Sequence, residues 1–168
     1  MGRLVKLEDL VAITSELKSQ GSTISFANGH FDLLHVGHLR YLFAARAEGD
    51  VLVVGLNGDG SVERLKGPGR PLVPAVERAE MLAALEPVDF VVVFDDDTPA
   101  EVLKRLQPQV HCKGTDYETP EKVPEFEIVR AYGGRTVLLG DPKDHSTRDL
   151  ISAARGLDRA AHDGVASD

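Results

Sequence analysis

Tryptophan is absent from this 168-residue chain and cysteine occurs once. The single thiol, Cys112, cannot close an internal disulfide, so the fold must stand on its core, and a reducing, cytoplasmic setting is expected. Aromatic residues make up only 5% of the chain, and basic residues are outnumbered, 19 Lys and Arg against 27 Asp and Glu, for a net charge of -8. Sparse aromatics and an acidic balance count against a broad nucleic-acid surface, which needs a basic face. They leave room for a small basic pocket. No apolar run approaches the roughly 20 residues of a membrane span. Glu8 and Asp9 interrupt the N-terminal segment where a leader would be apolar, so neither a leader nor a membrane association is expected. Internal repeats are missing too, as is any obvious Ser-His-Asp set of the kind that activates a nucleophile. What is present, 42% hydrophobic and 27% charged residues, suits one soluble globular domain with a core of its own.

The most informative stretch is Asn28-Gly29-His30-Phe31-Asp32-Leu33-Leu34-His35-Val36-Gly37-His38. An apolar run before it, Thr23 to Ala27, reads as a buried strand. Leu39 to Ala47 after it has helical spacing and strong helix formers. A strand, a Gly-containing turn and a new helix put backbone N–H groups and a positive dipole end at one spot, which suits a phosphate. His35 and His38, three residues apart, fall on the same side of that helix start, and Gly37 removes a side chain where a ligand must come close. Zinc is the competing reading of two histidines at this spacing, but no third ligand lies nearby and Cys112 is distant.

In chain order, apolar residues Leu7, Leu10, Val11 and Leu17 predict a helix from Leu7 to Ser19, ended by Gly21. Gly49 is a candidate C-cap for the helix after the signature. Val51 to Leu56, apolar without alternation, predicts a strand buried on both faces. Asn57 to Gly60 and then Leu65 to Pro71 read as a loop rich in turn formers, carrying Lys66 and Arg70. Pro74 to Leu85 predicts a helix with Arg78 in its first turns, Val88 to Phe94 a strand, Pro99 to Leu106 a short helix and Val110 to Lys113 a further strand. Asp95-Asp96-Asp97 reads as a solvated turn rather than a metal cluster. A helix over Pro124 to Tyr132, a strand from Arg135 to Leu139 and a helix from Arg148 to Gly156, capped by Ser146-Thr147, complete the domain. The domain is expected to span 1–157, with 158–168 a frayed tail. Alternating strands and helices imply an α/β fold, a mostly parallel sheet covered on both faces. Lys66, Arg78, Lys113 and Ser146-Thr147 each admit a bland reading, as a loop charge, a surface charge, an edge residue and a cap. Lys113 stands out because ligands of open parallel sheets bind at the carboxyl ends of strands.

The signature resembles that of the His-x-Gly-His nucleotidyltransferase superfamily, cytidylyltransferase-like enzymes related to class I aminoacyl-tRNA synthetases. The likeness runs from Leu7 to Ile151 and is strongest to the bacterial D-glycero-β-D-manno-heptose 1-phosphate adenylyltransferases, the ADP-heptose synthases. Lys113-Gly114-Thr115-Asp116-Tyr117 is similar to the family's Lys-Gly-x-Asp-Tyr segment. The resemblance implies a Rossmann-like, five-stranded parallel sheet in the order 3-2-1-4-5. It implies a transfer of AMP from ATP to a sugar 1-phosphate, with Mg²⁺ bridging the ATP phosphates and the product an ADP-sugar of the kind that feeds lipopolysaccharide. His35, His38, Lys66 and Lys113 become the catalytic candidates. Asn28, Gly29, His30, Phe31, Asp32, Gly37, Arg78, Gly114, Asp116, Ser146 and Thr147 become the nucleotide-binding ones; no metal ligand is assigned. A homo-oligomer, a dimer foremost, is implied as well. Some of these enzymes carry a fused kinase domain; none is seen here, so a separate kinase is expected to supply the sugar phosphate.

Two departures bear on substrate. Cytidylyltransferases of glycerol 3-phosphate, the alternative reading, carry Arg-Thr shortly before the late Ser/Thr cluster. This chain has no arginine between Leu139 and Ser146, which favours ATP. Position 30 is His where heptose enzymes often have Cys, a difference that bears on the sugar. A phosphate monoester is already ionised near neutrality, its second pKa being about 6, so the acceptor needs no general base.

Overall fold

The computed structural model describes residues 1–140 and 151–152. Ser146, Thr147 and the tail lie outside the described residues, as does the expected helix 148–156 except for Ile151 and Ser152, which are helical. The described chain runs β1 (Arg3–Leu4), α1 (Leu7–Ser19), β2 (Ile24–Gly29), α2 (Val36–Ala47), β3 (Val51–Asn57), α3 (Asp59–Lys66), α4 (Ala75–Ala84), β4 (Phe90–Phe94), α5 (Ala100–Leu106), β5 (Val110–Lys113), α6 (Phe126–Ala131) and β6 (Arg135–Leu138). One 3₁₀ turn, Pro120–Lys122, precedes α6.

All six strands lie parallel in one sheet, ordered β1-β4-β3-β2-β5-β6. The last five reproduce the expected 3-2-1-4-5 order. The sixth, β1, adds to the edge at β4 through Arg3 and Leu4; two residues carry no periodicity from which a strand could be read. A second correction concerns Asp59–Lys66. It is a helix rather than loop, its first turn holding Asp59 and its last Arg64 and Lys66, both favourable to the helix dipole. Gly58 and Gly60 obscure it in the sequence. The cap of α2 is Glu48, and Gly49 closes the helix one residue later, its N–H donating to the Arg46 carbonyl, without a positive φ. Position 49 is glycine because a β-carbon there would come within 2.8 Å of the Thr23 carbonyl oxygen. Gly21, by contrast, ends α1 with φ +91°.

Strand parity sorts the core into two layers. Leu52, Val54 and Leu56 of β3 pack with Leu42 and Ala45 of α2 and Ala79 and Leu82 of α4. Val53 points the other way, to Leu10 of α1, Phe26 of β2, Val102, Leu103 and Leu106 of α5 and Val129 of α6. Burial on both faces explains why the strands read as unbroken apolar runs.

This winding places the functional crevice. From β2 the chain moves outward through β3 to β4, and with right-handed crossovers α2 and α4 cover one face. It then crosses back to β5 and β6, so α5 and α6 cover the other. The reversal falls between β2 and β5, where adjacent strands send their chains to opposite faces and leave a cleft at their carboxyl ends. Asn28 and Gly29 end β2 there; Lys113 ends β5.

Candidate active site

At the end of β2 the backbone turns sharply. Phe31 adopts φ +46°, unusual for an aromatic residue, and is held there by burial, with 3% of its surface exposed. A β-carbon on Gly29 would meet the Phe31 ring at 3.1 Å, so Gly29 is what lets that ring fold back. The ring lies 5.1 Å from that of His38, tilted by 56°. His35, extended at φ -143°, caps α2, and its carbonyl accepts from the N–H groups of His38 and Leu39. The His35 and His38 rings stack at 3.9 Å. The expected pairing of the two imidazoles at one helix mouth is therefore what the fold produces. Gly37 sits beside them as the second residue of α2.

Burial, and then the neighbouring His35, push the His38 imidazole down to about 4, so it is neutral at pH 7. Its buried Nδ1 has no hydrogen-bond partner among the described residues. A neutral imidazole keeps one N–H to donate. An anion at the mouth of α2 would oppose the shift by favouring the charged form of the imidazole, and would meet the helix dipole at the same time. His30 is likewise held down to about 4, first by burial, then by the positive fields of Lys66 and Arg78, with Lys113 contributing last. Lys66, the final residue of α3 and exposed, thus shares the neighbourhood of the signature with Lys113 although they are 47 positions apart in the chain.

Two signature-linked residues serve the walls of the site. Asp32 accepts hydrogen bonds from Arg70 Nη1 at 2.6 Å and from the backbone N–H groups of Leu72 and Val73 at 2.7 and 3.0 Å. It pins the loop that follows α3 onto the signature. Arg78 is fully buried. Its guanidinium donates to the carbonyls of Val73 (2.7 Å), His30 (2.6 Å) and Asn57 (2.9 Å), and to Asp59 Oδ1 (2.6 Å). The structure thus places Arg78 behind the site, joining the signature, the end of β3, the start of α3 and the loop before α4.

Across the cleft, the Lys113 ammonium lies 3.5 Å from Asn28 Oδ1 and 3.8 Å from Glu125 Oε2, and 5.8 Å from the centre of the Tyr117 ring. His111 Nε2 approaches the same Asn28 oxygen at 3.3 Å. Burial pushes His111 down to about 3 and lowers Lys113 from its ordinary value, Glu125 and Asp116 opposing the latter shift. Gly114 has nothing closer than Asp116 Oδ2, at 3.9 Å, where its β-carbon would be, so the backbone after β5 is open to approach; Asp116 is exposed beside it.

Glu125, His111 and Arg70 were not among the sequence candidates. Glu125 is one acid in the run Glu118 to Glu127 and nothing local singles it out. His111 falls inside a strand, where a lone histidine reads as core. No group of three or more His, Cys, Asp or Glu side chains among the described residues could cage a metal ion. A shallow hollow of about 550 Å³ near the end of β4, lined by Arg64, Asp96, Asp97, Thr98, Glu101 and Lys104 among others, shares no residue with the signature.

Residues 26–153 match the family model described as cytidylyltransferase-like. The chain belongs to the cytidylyltransferase-like family. That span contains every signature residue, both lysines and Glu125, so this family of nucleotidyltransferases is the frame for the geometry above. Curated relatives include the bifunctional protein HldE of Geotalea uraniireducens, 52% identical over 91% of this chain. That of Alcanivorax borkumensis is 45% identical over 94%. The chain spans 31% and 33% of the length of those two proteins. Among solved structures, the lipopolysaccharide core biosynthesis protein of Thermoplasma volcanium superposes with a TM-score of 0.63 at 25% identity, covering 73% of this chain and all of that one. No helix among the described residues of this cytidylyltransferase-like chain is long and apolar enough to cross a membrane.

Proposed function

We propose that this domain is an adenylyltransferase that moves AMP from ATP to a heptose 1-phosphate, giving ADP-heptose and pyrophosphate. The observation that carries the reading is the stacked His35–His38 pair at the mouth of α2, opening on the switch-point cleft that Lys113 borders. The resemblance of the signature to heptose 1-phosphate adenylyltransferases supports the acceptor, and the likeness to a lipopolysaccharide core biosynthesis protein agrees with it.

In this mechanism a nonbridging oxygen of the sugar phosphate attacks the α-phosphorus of ATP. The new P–O bond forms as the bond from the α-phosphorus to the α,β-bridging oxygen breaks, and its electrons leave with pyrophosphate. The acceptor is already anionic, so no proton has to be removed. Catalysis is then positioning and the stabilisation of developing charge. His38, neutral and partly desolvated, donates its N–H to the polyphosphate, with His35 stacked against it. Lys113 and Lys66 supply positive charge, and the backbone at the start of α2 offers further N–H donors. Magnesium arrives with ATP as part of the substrate. A phosphate-borne ion keeps most of its waters and is held chiefly by the substrate's own phosphates.

The test is a panel of sugar 1-phosphates, with glycerol 3-phosphate included, each incubated with ATP and with CTP and scored by product mass and pyrophosphate release. ADP-heptose as the dominant product is expected. A CDP-linked polyol as the dominant product would replace this reading with a cytidylyltransferase one, and tight nucleotide binding without turnover on any acceptor would refute catalysis.

A further inference from the structure

Glu125 is 4% exposed and faces the ammonium that the mechanism uses, yet it belongs to no motif. Its Oε2 accepts no hydrogen bond among the described residues, and at 3.8 Å from Lys113 Nζ the contact is longer than the roughly 2.8 Å of a charge-assisted hydrogen bond. A purely structural buried ion pair gains from closing that distance, because a carboxylate oxygen out of water with no donor is costly. The open pair has another consequence. Lys113 Nζ is held by long contacts only, to Asn28 Oδ1 at 3.5 Å and across 3.8 Å to Glu125, so its N–H groups can turn to phosphate oxygens while the Glu125 carboxylate keeps the charge balanced.

We propose that Glu125 is a positioning residue for Lys113, holding the ammonium charged and in place at the end of β5 until a polyphosphate takes over as its partner. The proposal deepens, and for its catalytic meaning rests on, the nucleotidyl-transfer reading of the site. The groups around Lys113 agree with it. Asn28 and His30 face it from the signature, His111 from β5 itself, and Asp116 and Tyr117 from the turn after β5. Asn28 has no charge, the two histidines are held neutral, and their positive forms would repel Lys113. Asp116 is exposed and weaker through solvent screening. Glu125 is left as the desolvated counter-charge.

The direct readout is the titration of Lys113 in the free protein, followed by ¹³C NMR after reductive methylation and assigned with Lys113→Arg. In Glu125→Gln the Lys113 midpoint falls by about one pH unit or more. The alkaline limb of kcat/KM falls with it, while in a Lys113→Met background Glu125→Gln causes no further loss of activity. An unchanged midpoint overturns the proposal, as does a lowered midpoint with an unmoved pH profile. If wild-type protein transfers no nucleotide to any acceptor, the functional reading fails and the NMR titration still decides the pair. Should Glu125→Gln fail to fold, thermal melts of two other variants decide. Lys113→Met leaves a lone buried carboxylate, so Lys113→Met/Glu125→Gln should melt about 5 °C or more above it; equal melting temperatures overturn the pairing.

Discussion

Replacing Arg78 by methionine keeps an unbranched apolar stem and removes the guanidinium, with its charge and all four of its hydrogen bonds. Three of the acceptors, the carbonyls of Val73, His30 and Asn57, are backbone groups at the ends and turns of different elements, and the fourth is Asp59. Hydrogen bonds to charged groups contribute about 1.5–3 kcal/mol each. Four of them, less the cost of desolvating a guanidinium that is fully buried, leave a loss of about 4 kcal/mol, in the range typical of breaking a buried ionic network. For a chain of this size that is a fall of roughly 8–16 °C in melting temperature. Arg78→Lys should recover little, because one ammonium cannot span acceptors on four segments. Urea unfolding followed by circular dichroism gives the free energy, and nucleotide affinity of the folded fraction shows whether the signature has lost its shape. An Arg78→Met protein within 1 kcal/mol of wild type that still fails to bind nucleotide would refute this account and make Arg78 a direct ligand contact.

Three further outcomes are expected. His38→Ala should fold normally and lose about a hundredfold in turnover, the usual effect of one transition-state donor; near-normal turnover in steady-state assays would remove His38 from catalysis. Asp32→Asn cannot accept from Arg70, Leu72 N–H and Val73 N–H together, since one of its two atoms becomes a donor. It should lose about 2 kcal/mol in urea unfolding, and equal stability would contradict the pinning role. Acidification gives the last test. The folded values of His30, His38 and His111 lie at about 4, 4 and 3, below the ordinary 6.5. Between those values and 6.5 the unfolded chain holds more protons, so the stability they contribute is present above pH 6.5 and is lost as pH falls through the window. Melting temperature should drop from pH 6.5 to 4.5, less steeply in His111→Gln. An identical slope in that variant would show that His111 titrates normally in the fold.

Much of the architecture was legible because its signals are local. Val51 to Leu56 announces a strand covered on both faces, and Gly21 a helix end, from residues that are neighbours in the chain. The same holds for His35 and His38: three positions apart at a helix start, they can only lie together, and the structure stacks them. Where local signals are weak or mixed, the reading fell short. Two glycines hid α3, two residues could not advertise β1, and the close approach to Thr23 that requires Gly49 has no local signal. Glu125 could not be chosen from its acidic stretch, because what distinguishes it is burial.

The amino-acid order by itself determined that strands and helices alternate, that the sheet is parallel, and that two imidazoles and a helix N-terminus share one point, since each follows from periodicity over a few turns of chain. Tertiary structure alone decided the partners of the charged residues. Arg78 meets the His30 carbonyl across 48 positions, and Asp32 meets Arg70 across 38. Lys113 faces Asn28 because β5 is laid beside β2. Charges of either sign are plentiful in the sequence, and a charge's effect depends on distance and on the water left around it, which only the folded chain sets.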